Sequence, residues 1–348
     1  SSNACGDDRS RPTTMTTERT RLVRALSTAK PASIAELALA VGIGEPAVKR
    51  YLSELEADGL QFQVTASPDY QLGLAVDPME EAHLKSALTT RGFPFADQVV
   101  LLDTVDSTSN WLTRQAGNSE LHGQVCISEF QSAGRGRRGR SWRGSPYRNL
   151  MLSMGWRFCK GAVQLGGLSL SIGLALASRL RELGADKVGL KWPNDLFASG
   201  EKLGGVLVEL NSSADKEVCA IIGIGLNIDD PSLATLDTGQ GVTDLASQIN
   251  GPLPQRTELI AYVLADLVRA LERFDNRGFM PDQPGWNALD IFRGKAIRAT
   301  SQREFVVGVG EGADELGRYR LRCDGGSITP IIAGDITLSF DPPGLPLS

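Results

Sequence analysis

Seven consecutive residues, Gly134-Arg135-Gly136-Arg137-Arg138-Gly139-Arg140, place four arginines among three glycines in a chain of 348 residues. Glycine lets backbone approach an anion closely and move, and guanidinium groups pair with phosphate or carboxylate oxygens in a bidentate way. The loop therefore suits a mobile clamp over an anionic ligand. It also fits G-x-G-x-x-G, but a dinucleotide fingerprint needs a helix to start inside the motif, and Ser141-Trp142-Arg143-Gly144-Ser145-Pro146 breaks any helix. A solvated basic loop, or a nuclear-localisation or nucleic-acid patch, accounts for the same seven residues about as well. A second glycine motif, Gly308-Val309-Gly310-Glu311-Gly312-Ala313, fits the G-x-G-x-x-A variant but is followed by no helix, and it reads as a hairpin turn.

Lys191-Trp192-Pro193-Asn194-Asp195-Leu196 follows a strand-like run from Val188. Pro193 ends the strand, so Lys191 stands where a compact ammonium can point into a cleft and neutralise charge developing on phosphate or carboxylate oxygens. A snorkelling surface lysine is the plainer alternative. Ile221 to Asn227 is an apolar strand ending Gly223-Ile224-Gly225-Leu226-Asn227. Its glycines admit a flat ligand and its Asn amide can read an adenine edge, unless it is an ordinary buried strand. With only His83 and His122 in the chain, a histidine triad or a multi-histidine metal site has almost no material.

The elements that must hold these residues fall into three segments. Residues 18–77 read as helices over Glu18–Thr28 and Ile34–Val41, a Gly42-Ile43-Gly44 turn, and a third helix with Val48, Tyr51, Leu52 and Leu55 on one face. Pro46 suits the start of that helix and Gly59 its stop; its outer face carries Ala47, Lys49, Arg50 and Ser53. Gln61–Thr65 and Tyr70–Leu74 alternate around Ser67-Pro68-Asp69 as a two-stranded wing. Together they resemble a winged helix-turn-helix, whose second paired helix enters the major groove, although such a module can also dock a protein. From Glu18 to Val76 six basic residues (Arg19, Arg21, Arg24, Lys30, Lys49, Arg50) face seven acidic ones (Glu18, Glu36, Glu45, Glu54, Glu56, Asp58, Asp69), so phosphate attraction is weak for one copy and DNA contact calls for a dimer.

Residues 78–290 read as a helix over Glu80–Thr89, strands at Val99–Val105, Val125–Phe130, Asn149–Phe158, Val188–Trp192, Leu203–Leu210 and Val218–Leu226, and helices near Leu165–Leu183 and Thr257–Phe274. That mixture implies an α+β domain around a mixed sheet. Residues 291–340 hold five short strands between glycine turns, Ala296–Thr300, Glu304–Gly310, Gly317–Cys323, Ser327–Ile332 and Ile336–Phe340, as in a small β-barrel.

Bulk properties bound the answer. Hydrophobic residues at 41% and charged residues at 22% are ordinary for a folded soluble chain, and a net charge of −5 confines any DNA contact to a local patch. Five dispersed cysteines (Cys5, Cys126, Cys159, Cys219, Cys323) contain no C-x-x-C pair and suit reduced thiols in a cytoplasm. Residues 1–17 read as a polar, disordered tail or an expression remnant, and no apolar run reaches membrane-spanning length.

The combination of Glu129-Phe130-Gln131-Ser132-Ala133 running into the Gly/Arg heptad, the Lys191–Asp195 pentapeptide, Asp106-Ser107-Thr108 upstream and Lys202-Leu203-Gly204-Gly205 downstream resembles biotin protein ligases of the bifunctional type, the biotin operon repressors. The resemblance spans almost the whole chain. It implies an N-terminal winged helix-turn-helix, a central class II synthetase-like catalytic domain and a C-terminal SH3-like barrel. It further implies an enzyme that makes biotinyl-5'-AMP from biotin and ATP with Mg2+, transfers biotin to a lysine of a biotin carboxyl carrier protein, and binds operator DNA as a homodimer. Position by position, Ser107, Thr108 and Gln131 match biotin contacts, and Ser109 stands where Asn is familiar. Arg135, Gly136 and Arg137 match the clamp over biotin and adenylate, and Lys191 the lysine bridging carboxylate and phosphate, which makes Lys191, Arg137 and Arg135 the catalytic candidates. Trp142 and Asn227 match residues lining the nucleotide, Lys202 a phosphate contact; no metal ligand is indicated. Two rivals stay open: a lipoate or octanoate ligase of the same architecture, and a ligand-sensing repressor without catalysis.

Overall fold

The computed structural model describes residues 17–63, 69–116, 120–159, 161, 165–212, 218–235, 241–301, 305–332 and 337–340. The polar tail and the tip of the expected wing, Ser67-Pro68, fall outside these residues.

Three helices open the chain: α1 (Glu18–Ala25), α2 (Ile34–Val41) and α3 (Glu45–Ala57). Helix α1 stops three residues short of the expected Thr28, at an extended Leu26 cap. Ser33 and Glu36 form a capping box that starts α2, and Gly42, left-handed at φ 74, ends it. The apolar face of α3 buries Val48, Leu52 and Leu55 against Leu22, Val23, Leu37 and Val41. Ala47 is half-buried, while Lys49, Arg50 and Ser53 are exposed. Of the two expected wing strands, the described residues show the isolated bridges Phe62–Leu72 and Ala32–Tyr70.

Helix α4 (Glu81–Thr90) precedes a seven-stranded mixed sheet in the order β1-β2-β5-β9-β8-β7-β6. Its strands are β1 (Val99–Val105), β2 (Val125–Gln131), β5 (Asn149–Phe158), β6 (Val188–Lys191), β7 (Asp195–Ala198), β8 (Glu201–Ser212) and β9 (Val218–Asn227); β1 and β2 are parallel, the other pairs antiparallel. Along β5 every residue except Arg157 is buried, because both faces of the sheet are covered. Val125, Ile127 and Ile222 enter the main core with helices α6 (Leu168–Glu182) and α7 (Arg256–Arg277). The alternate residues Cys126 and Ile221 instead meet Leu112 of helix α5 (Thr108–Gln115), which packs on β2, β5 and β9. This α5 face carries Ser153, Gly223, Gly225 and Asn227, each two residues further along its strand. Helix α5 and strand β7 were not expected from sequence. Helix α6 begins at Leu168 rather than Leu165, after Gly167 at φ 82.

A hairpin of β3 (Gly134–Arg135) and β4 (Ser141–Trp142) carries the Gly/Arg heptad, its first two residues forming β3 and the other five the link to β4. Helix α8 (Gln283–Leu289) leads to a five-stranded antiparallel sheet, β13-β12-β11-β10-β14, formed by β10 (Ala296–Thr300), β11 (Phe305–Ala313), β12 (Tyr319–Arg322), β13 (Ile328–Ile331) and β14 (Thr337–Phe340). The reading of Gly308–Ala313 as a hairpin turn is corrected: β11 runs through all six residues, with an irregularity between Gly310 and Ala313. Close packing explains these glycines. A Cβ on Gly308 would meet Arg322 O at 2.6 Å, and one on Gly310 would meet Phe292 O at 2.5 Å. Among the described residues no helix is long and apolar enough to cross a membrane.

Candidate active site

One cleft of about 580 Å3 gathers every ligand-contacting residue expected from the sequence: Ser107, Thr108, Ser109, Gln131, Arg135, Gly136, Arg137, Trp142, Lys191, Lys202 and Asn227. The DNA-facing candidates Ala47, Lys49, Arg50 and Ser53 lie elsewhere, on α3.

Its floor is the α5 face of the sheet. Ser107 caps α5, its hydroxyl accepting from Asn110 N, so Thr108 and Ser109 open the helix directly over β5 and β9. The Gln131 carbonyl accepts from Thr108 N at 2.8 Å and from Thr108 Oγ1 at 3.1 Å. Thr108 Oγ1 lies 2.7 Å from Ser153 Oγ, and Ser153 Oγ 2.9 Å from Ser109 Oγ. A hydroxyl has one proton; since Thr108 gives its own to Gln131, Ser153 donates to Thr108 and Ser109 to Ser153. The chain therefore ends at Ser109 with lone pairs free for a donor on a ligand. Gly223 makes room beside it, for a Cβ there would stand 3.0 Å from Ser109 Oγ. Ser153, at the centre of this chain, was missed by sequence reasoning; its one signal is a lone hydroxyl inside the apolar run Leu150–Met154.

The same cleft is lined by Arg135, Arg137, Arg138, Arg140, Arg143, Lys191 and Lys202, against the single acidic lining residue Asp195. Within the heptad Arg138 is left-handed at φ 59 and Gly139 at φ 70, which folds the clamp back on itself. Arg135 Nη2 donates to Glu209 Oε1 at 2.6 Å and its Nη1 to Asn110 Oδ1 at 2.7 Å. Arg137 Nη1 donates to Asn194 Oδ1 at 3.2 Å, and Asn194 Nδ2 to Val206 O at 2.8 Å. Lys202 Nζ donates to Asp195 Oδ1 at 2.8 Å. Burial, and then the like charges of Arg138 and Arg140, push the Arg137 pKa down, with Asp195 opposing. Burial likewise lowers that of Lys191, with Lys202 and Arg140 adding to it against Asp195. Two cations whose charged forms are poorly supported by the protein make a site that an anion would complete.

The nucleotide candidates carry a complementary signal. Trp142 Nε1 and Asn227 Oδ1 are buried polar atoms without a hydrogen-bond partner among the described residues. Asn227 Nδ2 donates to Thr243 O at 3.0 Å, which fixes the amide. An unpaired donor and acceptor at the wall of a cleft suit a ligand with polar ring edges. Gly225 lies against Trp142, where a Cβ would come within 2.7 Å of the indole. Among the described residues no group of three or more His, Cys, Asp or Glu is placed to hold a metal ion.

Residues 101–227 match the biotin/lipoate A/B protein ligase family. The chain is 33% identical over 318 residues, 91% of its length and 96% of the relative's, to the bifunctional ligase/repressor BirA of Escherichia coli strain K12. It is 30% identical over 265 residues, 74% of this chain and 95% of the relative, to the biotin--[acetyl-CoA-carboxylase] ligase of Mycobacterium tuberculosis. Among solved structures, the biotin protein ligase of Aquifex aeolicus in complex with biotin and ATP superposes with a TM-score of 0.59 at 25% identity, over 70% of this chain and 99% of that one.

Proposed function

The chain belongs to the bifunctional biotin protein ligases, and on that premise we propose that it activates biotin with ATP, attaches it to a lysine of a biotin carboxyl carrier protein, and also represses transcription in response to biotin. One observation carries the reading: the Arg135–Arg140 clamp and Lys191 line one cleft together with a chain of hydrogen-bonded hydroxyls that ends in a free acceptor at Ser109.

A biotin carboxylate oxygen attacks the α-phosphorus of ATP, the bond to the bridging oxygen breaks, and pyrophosphate leaves with the electron pair. A carrier lysine amine then attacks the acyl carbon, AMP departs, and the amine proton passes to solvent. Neither step needs a nucleophile from the enzyme, which fits the scarcity of histidine; holding two mutually repelling anions in line is the task. Lys191 and Arg137 neutralise the carboxylate and phosphate oxygens, Arg135 and Gly136 close over them, Lys202 touches phosphate, and Trp142 and Asn227 take the adenine. Mg2+ arrives with the nucleotide. Among the described residues no group of three or more His, Cys, Asp or Glu is placed to hold it.

Biotin is favoured over a fatty acid by the direction of the hydroxyl chain. Ser109 presents an acceptor that suits a ureido N–H, whereas an acyl tail would leave the lone pairs of the buried Ser109 hydroxyl without a donor. Residues 18–77 serve as a winged helix-turn-helix with Ala47, Lys49, Arg50 and Ser53 toward operator DNA, residues 78–290 as the catalytic domain and 291–340 as an SH3-like barrel. The near balance of charge on the first segment makes a homodimer, with two recognition helices, the DNA-binding form. The dispersed cysteines, with no C-x-x-C pair among them, support a cytoplasmic location.

Incubating the protein with biotin, Mg-ATP and a biotin-acceptor domain, then weighing the acceptor, tests the reading. An acceptor heavier by one biotinyl group is expected; no gain with biotin but a gain when octanoate or lipoate replaces it points to the acyl ligase, and no gain with any of them points to the repressor without catalysis.

A further inference from the structure

Lys191 is half-buried, yet no carboxylate among the described residues stands within ion-pair distance of its ammonium. Asp195, its partner across the β6–β7 pair, is engaged by Lys202 at 2.8 Å. Lys191 Nζ instead lies 4.8 Å from the ring centroid of Phe197 and 5.8 Å from that of Phe292, both within the reach of a cation–π contact. Both rings are buried.

The two rings come from different parts of the fold. Phe197 is on β7, beside Lys191 in the central sheet. Phe292 lies in the turn before β10, held by its own N–H to Asp290 Oδ1 at 3.0 Å and by Ile291 N to Leu190 O at 3.0 Å. The C-terminal sheet braces it from behind: Tyr319 Oη donates to Asp290 Oδ2 at 2.7 Å, and the Phe340 ring lies 4.9 Å away edge-on. A carboxylate in this position would aim the ammonium but cancel its charge. Ring faces orient a cation through their quadrupole and leave its charge available to a ligand.

The geometry points to Phe197 and Phe292 as positioning residues for the adenylation step, holding the Lys191 ammonium aimed and uncompensated, so that through Phe292 the C-terminal sheet is part of the active site. This rests on the assignment of Lys191 to that step.

Fluorinated phenylalanines test it with little change in the shape of the core, because each fluorine is only slightly larger than hydrogen yet withdraws density from the ring face. In the full-length protein carrying mono-, di- or trifluorophenylalanine at 197 or 292, kcat for biotin-dependent ATP–pyrophosphate exchange is expected to fall stepwise, to about a tenth with trifluorophenylalanine. KM is expected to hold, and the series to go flat in a Lys191→Ala background. A flat series in the native background, or an equal decline without Lys191, overturns the inference. NMR titration of the Lys191 Cε–Nζ group gives a readout that does not depend on biotin being the substrate. Its midpoint should move to lower pH with each fluorine, since Asp195, Lys202 and Arg140, the other charges facing it, are the same throughout. An unmoved midpoint overturns the inference, whereas a moving midpoint in a protein without exchange activity overturns only the biotin-ligase reading.

Discussion

The hydroxyl of Tyr147 donates to Asp103 Oδ1 at 2.6 Å, and the ring, 1% exposed, completes the hydrophobic core of the N-terminal helices. Tyr147 follows the clamp hairpin by five residues and holds a left-handed φ of 62. Asp103 also accepts from Thr17 Oγ1 at 2.8 Å and faces Arg19 Nε at 3.8 Å, so central sheet and α1 share one carboxylate. Tyr147→Ala should cost about 3–5 kcal/mol in cavity and lost contacts, and Tyr147→Phe about 1 kcal/mol. Amide exchange should quicken in α1–α3 more than in β5 and β9; equal acceleration in both would contradict the role of Tyr147 in the core of the N-terminal helices.

A pH dependence follows from Asp290. Burial pushes its carboxyl from 3.8 up to about 6, against the hydrogen bonds from Tyr319 and the Phe292 N–H. A folded-state value above the unfolded one means that the folded chain keeps a proton that the unfolded chain has lost. Stability is then greatest below about 4 and declines as pH rises to about 6, by roughly 3 kcal/mol. Asp290→Asn should flatten that portion of the urea-midpoint profile while sparing the rest, and an unchanged slope from pH 4 to 6 would exclude it.

Glu209 competes for Arg135. Both side chains are about a third or more exposed, so the pair contributes under about 1 kcal/mol to the fold. Freed by Glu209→Gln, Arg135 is available to an incoming carboxylate, and calorimetry should show biotin bound roughly three- to fivefold more tightly with an unchanged melting temperature. Weaker binding would mean that the contact with Glu209 orders the clamp instead of holding it back.

Gly225→Ala separates the two ends of the cleft. The added methyl meets the Trp142 indole at 2.7 Å, in a sheet that cannot retreat, so Trp142 must move. KM for ATP should rise on the order of tenfold, with biotin affinity intact because Ser109 and Gln131 are untouched. An equal loss for both ligands would remove Trp142 from the nucleotide end.

The parts legible in the sequence were those in which physics writes a pattern. Asn149–Phe158 and Val218–Leu226 are buried on both faces and read as continuous apolar runs, and the heptad is unmistakable by composition. Helix α5 was missed because two of its three buried positions are Thr108 and Ser109, hydroxyls where an amphipathic helix would show leucine; only Leu112 is apolar. Strand β7 is four residues long and hides behind Pro193. The glycines of β11 looked like a turn because a sequence does not distinguish a glycine that bends the chain from one that admits a neighbour. Ser153, Glu209 and Phe292 were invisible for another reason: each matters through a residue far along the chain, and only the folded register brings the partners together.

Whether Lys191 and the arginine clamp join two anions in one cleft is measured directly by pyrophosphate release from biotin and ATP. With Lys191→Ala, release should fall on the order of 100-fold or more while the protein stays folded. A folded Lys191→Ala protein that releases pyrophosphate at the native rate would contradict it.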